Sequence, residues 1–129
     1  MLKLKYHLLF VAIFPFIAIH LSFILSVQSE YLTLCNPYID GCYSISRVAR
    51  QPSSIIIFKI LMLISAFSLF FLWPRLFKPN YNKMLILIGR VGSLFLIAYI
   101  VALGEDGFLY ELMRRFGVFI VYIFTLISQ

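Results

Sequence analysis

Long runs of Phe, Ile, Leu and Val, broken by short polar stretches, organise this chain. A helix that crosses a bilayer needs about 20 mostly apolar residues, and four runs approach that length. The first covers residues 8–27, after the basic start MLKLK. The second covers residues 55–73 and ends in WPR, which reads as an interfacial Trp followed by a helix-stopping Pro. The third covers residues 84–103. The fourth, residues 108–128, is long enough but carries Glu111, Arg114 and Arg115 near its start. The pattern predicts an all-α fold: an integral membrane helical bundle of about four transmembrane helices. It forms a single transmembrane domain over residues 1–129, with a polar loop at 28–54 after the first span.

Composition supports the bilayer as solvent. Hydrophobic residues make up 63% of the chain and charged residues 12%, against about 45–50% and about 25% in a soluble domain. Mean hydropathy is +1.00. A soluble fold of 129 residues could not hide that much apolar surface.

The net charge is +6 and the isoelectric point about 9.6. The 11 Lys and Arg are scattered around the apolar spans and form no stripe, so nucleic acid is not an expected partner. They read instead as topology signals. Lys3 and Lys5 precede the first span, and Arg75, Lys78 and Lys83 sit between the second and third with no acid among them. The link GEDGFLYE between the third and fourth is acidic. By the positive-inside rule the N-terminus is cytoplasmic and the loop 28–54 extracytoplasmic, despite its Arg47 and Arg50. A cleaved signal peptide is the alternative for the first segment, with small residues near Val27–Ser29. The apolar run is longer than the about 7–15 residues usual for such peptides, which favours an uncleaved span. At the other end FTLISQ follows the fourth span without a basic flank, as expected if the helix ends flush or a C-terminal portion is missing.

Chemistry concentrates in LCNPYIDGCYSISRVARQPSS, residues 34–54. Cys35 and Cys42 bracket NPYIDG, whose turn formers let the two thiols meet, and an extracytoplasmic loop is where disulfides persist. A structural staple is the main reading. Free thiols and a quinone-linked redox pair are the alternatives, the last normally needing a second cysteine pair beside the first. Asp40, Ser44 and Ser46 form the densest polar cluster. A hydrolase needs a base oriented against a Ser, and a zinc site needs three or four ligands, whereas the chain has only His7 and His20. His20, in the outer half of the first span, faces this loop and Asp40, or else hydrogen-bonds within the bundle while the serines cap the turn into the second span. No cofactor and no metal are expected.

Two cations lie inside apolar spans. A snorkelling anchor is one reading of both Lys59 and Arg90, and Arg90 has the better case for a functional one. Arg90 is flanked by Gly89 and Gly92, small residues that let a neighbouring helix approach. Its guanidinium would sit in a tight helix interface, ready for a lipid phosphate or a carboxylate. Glu111 and Arg115 are spaced to pair on one helix. Arg47 and Arg50 are expected opposite Glu105 and Asp106, as a loop-to-loop salt-bridge set or, with Arg114 and Arg115, as a lipid-headgroup pocket.

A first span, a polar loop holding DGCYSIS, the Pro of RQP and a second span beginning IIIFK together resemble the Frag/DRAM/Sfk family of multi-pass membrane proteins, over about Asp40–Lys59. Members of that family carry five or six spans where this chain shows four. The resemblance implies membrane-lipid organisation or remodelling without a well-defined catalytic centre. It directs interest to Asp40, Ser44, Ser46 and Arg90. The expected function is therefore non-catalytic: lipid organising or sensing through an outer-leaflet polar cap, with membrane lipids as partners. The alternatives are an accessory subunit of a larger membrane protein complex, suggested by 14 Phe and 8 Tyr and little chemistry, and an enzyme, either a membrane thiol oxidoreductase or a lipid hydrolase.

Overall fold

The computed structural model describes residues 2–77, 83–105 and 107–127, with the side chains of Leu2, Arg114 and Val118 outside the description. The expectations placed on Lys78, Asp106, Ser128 and the Arg114 side chain therefore lie outside the described residues. The described elements are helices: α1 (Leu2–Gln28), a short α2 (Ile45–Ala49), α3 (Ile55–Leu76), α4 (Lys83–Ala102) and α5 (Phe108–Ile127). Three of them, α1, α3 and α4, are each long and apolar enough to cross a membrane. At 20 residues α5 matches α4 in length. Its charges all fall within its first eight residues and, at i, i+3 and i+4, on one face, which makes it amphipathic and sets it apart from the other three.

The long helices stand in a row in chain order, α1 against α3, α3 against α4, and α4 against α5, with α2 lying on α1. Close contacts along this row depend on small residues, as expected where helices associate by packing and hydrogen bonding. On α1, Ala18, Ser22 and Ser26 recur every four residues and are all fully buried. Gly117 of α5 meets the Tyr99 side chain and Gly92 of α4 meets Phe124. These two pairings fix α4 and α5 as antiparallel.

Prolines inside the helices are accommodated by their neighbours. Pro15 lies within α1 and cannot donate to the carbonyl of Val11 four residues earlier. The Ser65 hydroxyl of α3 donates to that carbonyl at 3.2 Å, the kind of repair that keeps a proline tolerable in an apolar helix. Pro74 does not stop α3, which continues to Leu76. Pro74 sits in the last turn, where the loss of one backbone bond is cheap. Trp73 is likewise not an interfacial anchor. It is buried, its ring covers Gly89, and its indole N–H donates to Ser93 Oγ at 3.2 Å. Gly89 is the small residue this packing requires, since a Cβ there would collide with the indole.

The C-terminal ends of α1 and α4 are closed by left-handed residues. Glu30 has φ 60°, and the bonds Glu30 N–H to Val27 O and Tyr31 N–H to Ser26 O complete a C-terminal cap on α1. Gly104 ends α4 with φ 85°, where a side chain would also strike Ile55.

The Pro15–Ser65 repair makes a quantitative prediction. Ser65→Ala should destabilise the fold by about 0.6–2 kcal/mol, the range for interhelical hydrogen bonds in membranes. In a Pro15→Ala background the Val11 carbonyl regains its own helix bond, so the same substitution should cost measurably less. Equal costs in both backgrounds, read from reversible unfolding in mixed detergent, would refute the assignment.

Candidate functional site

α2 is too short to stand alone, and its position comes from a knot of serine hydroxyls. Ser44 caps its start, accepting from Arg47 N–H. At its other end the Val48 carbonyl accepts from Ser54 Oγ at 2.9 Å. The Ser26 hydroxyl lies 3.1 Å from Ser54 Oγ and donates to Ser22 O at 2.8 Å. Ser22, Ser26 and Ser54 are fully buried, and Ala49 packs with Ala18, Phe58 and Leu103 directly beside them. The short helix is thus pinned onto the seam between α1 and α3.

The connector before it is fastened separately. Cys35 and Cys42 form a disulfide. Asp40 is a structural residue, accepting from Asn36 N–H at 3.0 Å, while Asn36 Oδ1 accepts from Tyr38 N–H at 3.1 Å. His20 does not engage Asp40. Its Nδ1–H donates to Phe16 O at 2.8 Å, leaving Nε2 to accept from the Tyr38 hydroxyl at 2.9 Å. The Tyr43 hydroxyl meets Thr33 Oγ1 at 2.7 Å and accepts from Thr33 N–H at 3.2 Å. These bonds, with a smaller contribution from the Arg47 cation, hold the Tyr43 phenol below its ordinary range. Arg47 stands over the Tyr43 ring, 5.3 Å from its centroid.

Beneath α2 the row of helices is concave and encloses a cleft of about 660 Å³, within the about 300–1,000 Å³ typical of ligand cavities. Its apolar wall comes from every long helix and includes Ile19, Phe58, Met62, Leu96 and Val121. Its polar groups include Ser46 of α2, the flanking cap residues Ser44 and Arg50, and Glu111 and Arg115 of α5. Arg115 pairs with Glu111, as the spacing predicts. Arg50 Nε donates to Ser46 O at 3.0 Å, which orients the guanidinium. Ser46 Oγ is 3.4 Å from Ser44 Oγ. The site therefore joins a hydrocarbon-compatible interior to a rim that, among the described residues, carries two guanidinium groups and one carboxylate.

Other predicted residues fall elsewhere. Glu105 pairs not with Arg47 or Arg50 but with Lys59, at 3.8 Å, and Lys59 Nζ also donates to Val101 O at 3.3 Å. Lys59 is thus tied to the end of α4 and does not simply snorkel. Arg90 sits over the Phe70 ring at 5.1 Å, on α4's side towards α3, and Nε is buried without a hydrogen-bond partner among the described residues. The glycines beside it contact Trp73 and Phe124, on two different neighbours, so they do not frame the guanidinium. His7 accepts from Arg75 Nη1 at 2.9 Å and turns Nε2–H towards Ser68 O and Oγ.

Sequence reasoning missed the buried serines and the Lys59–Glu105 pair. The four-residue spacing of Ala18, Ser22 and Ser26 was the available signal for the first. No local signal exists for the second. No family model, curated protein or solved structure matches this chain.

The Tyr43 environment is open to a direct titration. Thr33 donors favour the phenolate, so Tyr43 should ionise at lower pH than an unperturbed tyrosine. Thr33→Val should move its ionisation upward by removing the hydroxyl contact. An ultraviolet difference titration of wild type against Tyr43→Phe isolates this phenol, and an unmoved midpoint in Thr33→Val would contradict the assigned cause.

Proposed function

We propose that this chain is a multi-pass membrane protein that binds a phospholipid in the cleft beneath α2, with α2 and its disulfide-closed connector forming an extracytoplasmic cap. The observation that carries the reading is the cleft itself. Apolar side chains from α1, α3, α4 and α5 line its interior, and Arg50 and Arg115 stand on its rim. Guanidinium groups bind phosphate oxygens through paired N–H donors, and an acyl chain suits the wall below.

On this reading α5 is a fourth crossing. Its antiparallel packing against α4 through Gly92 and Gly117 supports that placement. Glu111 and Arg115 then lie at the headgroup level, where charge costs little. Lys3, Lys5, Arg75 and Lys83 remain on the opposite, cytoplasmic side, as the positive-inside rule favours. The resemblance of Asp40–Lys59 to the Frag/DRAM/Sfk pattern points towards lipid handling as well.

Charge reversal at the rim tests this. The full chain, purified in maltoside detergent, should carry phospholipid detectable by mass spectrometry of the extract. Arg50→Glu with Arg115→Glu should lower the bound amount at least about tenfold, equivalent to about 1.4 kcal/mol. Arg47→Glu, placed over Tyr43 and not on the cleft wall, should leave it nearly unchanged. An unaltered lipid content in the double variant would overturn the proposal.

A further inference from the structure

We infer that the bound phospholipid has two acyl chains and sits astride α2, one chain in each of two adjoining cavities. The inference rests on the lipid-binding reading of the cleft and narrows the class of ligand. A second cavity, of about 640 Å³, lies on the other side of α2, between α1 and the disulfide-closed connector. Phe23 and His20 of α1, Tyr38 and Tyr43 of the connector and Val48 of α2 help to form its wall.

The two cavities have almost the same volume and share Ile19, Ser44 and Ile45. What separates them is the ridge those side chains make. The polar side chains of the second cavity are engaged in hydrogen bonds: His20 with Phe16 O and Tyr38, Tyr43 with Thr33, Asn36 with Tyr38 N–H and Ser44 with Arg47 N–H. Among the described residues its wall contains no Lys, Arg, Asp or Glu side chain. It is suited to hydrocarbon, whereas the charged groups Arg50, Glu111 and Arg115 all belong to the first cavity.

This asymmetry selects the ligand. A single-chain amphiphile would fill the first cavity with its chain, place its headgroup at the arginines, and leave the second empty. A glycerophospholipid carries two chains from one polar centre, and that centre can rest at the rim near Ser46 and Arg50 while its chains descend on both sides of Ile45. The Cys35–Cys42 disulfide closes the connector that walls the second chain.

The comparison that decides this holds the headgroup constant. Delipidated full chain in maltoside detergent is titrated with dioleoylphosphatidylglycerol and with its single-chain lyso form, and bound lipid is counted by native mass spectrometry. The diacyl form should bind at least about tenfold more tightly. Phe23→Trp, which fills the second cavity, should remove most of that preference while leaving the lyso form's affinity unchanged. Met62→Trp, which fills the first, should weaken both lipids. A measurement on the unaltered protein covers the case in which a variant fails to fold. Diacyl phosphatidylglycerol carrying a photoreactive diazirine on one chain should label the Phe23–Tyr38 wall as well as the Met62–Leu96 wall. Equal affinity for the two lipids, or labelling confined to the Met62–Leu96 wall, overturns the two-chain inference and leaves the cleft reading standing. Binding of neither lipid overturns both.

Discussion

The carbonyl of Val48 is the point on which the cap depends. Backbone N–H groups just after α2, those of Arg50 and Gln51, close its last turn on Val48 O but tie the helix to nothing else. Ser54 donates to Val48 O from the start of α3, and Ser26 stands beside it on α1. Both hydroxyls reach this point only because α1 presents Ala18, Ser22 and Ser26 in one buried line, which leaves room for α2 to lie close. Larger residues along that line would lift α2 away from the seam. With it would go the ridge between the two cavities, because Ser44 and Ile45 belong to both.

The same economy recurs wherever the backbone or a cation lacks a partner. Ser65 serves the carbonyl that Pro15 leaves open. Ser93 accepts from the Trp73 indole and donates to Gly89 O, its own helix's carbonyl. Lys59 reaches Glu105 and Val101 O, and Arg90 takes the face of Phe70, an interaction of about 0.5–2 kcal/mol depending on desolvation. These contacts hold the row of helices together away from the cleft. The cations on the cleft rim are held differently. Arg50 is steadied by a carbonyl of its own short helix and Arg115 by a carboxylate one turn away. Both arrangements orient a guanidinium without burying it against another helix, which on the proposed reading leaves it open to an exchangeable ligand.

Much of the architecture was legible because hydropathy alone sets where apolar helices run, and the ends of α1, α3, α4 and α5 fall within a few residues of the expected runs except where α1 extends back to Leu2. The disulfide was legible from seven-residue spacing across turn formers. What sequence could not convey was the direction in which side chains point. Trp73 followed by Pro74 suggests a membrane edge, yet the indole turns inward because Gly89 leaves a gap of its shape. Gly89 and Gly92 suggest a frame for Arg90, yet three residues of helix place them towards different neighbours. Arg47 and Arg50 carry the right charge for Glu105, but Lys59 is already within reach of it from α3. Such choices among partners of equal charge are made by tertiary geometry, 46 residues apart in the Lys59–Glu105 case, and no local pattern encodes them.

α5 brings these strands together. Its early cluster of charges sets it apart from α1, α3 and α4, each of which is long and apolar enough to cross a membrane. Yet α5 supplies the far wall of the cleft through Val121 and Tyr122 and two of its charged groups through Glu111 and Arg115. A fully apolar helix at that position would pack against α4 equally well through Gly117 and Phe124, and would leave Arg50 as the one charged group of the cleft among the described residues. The residues that weaken α5 as a membrane span are therefore the ones that make the concave face amphipathic. On the proposed reading this is a single design constraint. The helix that closes a headgroup site has to carry its charged groups at one end, and α5 confines them to its first eight residues.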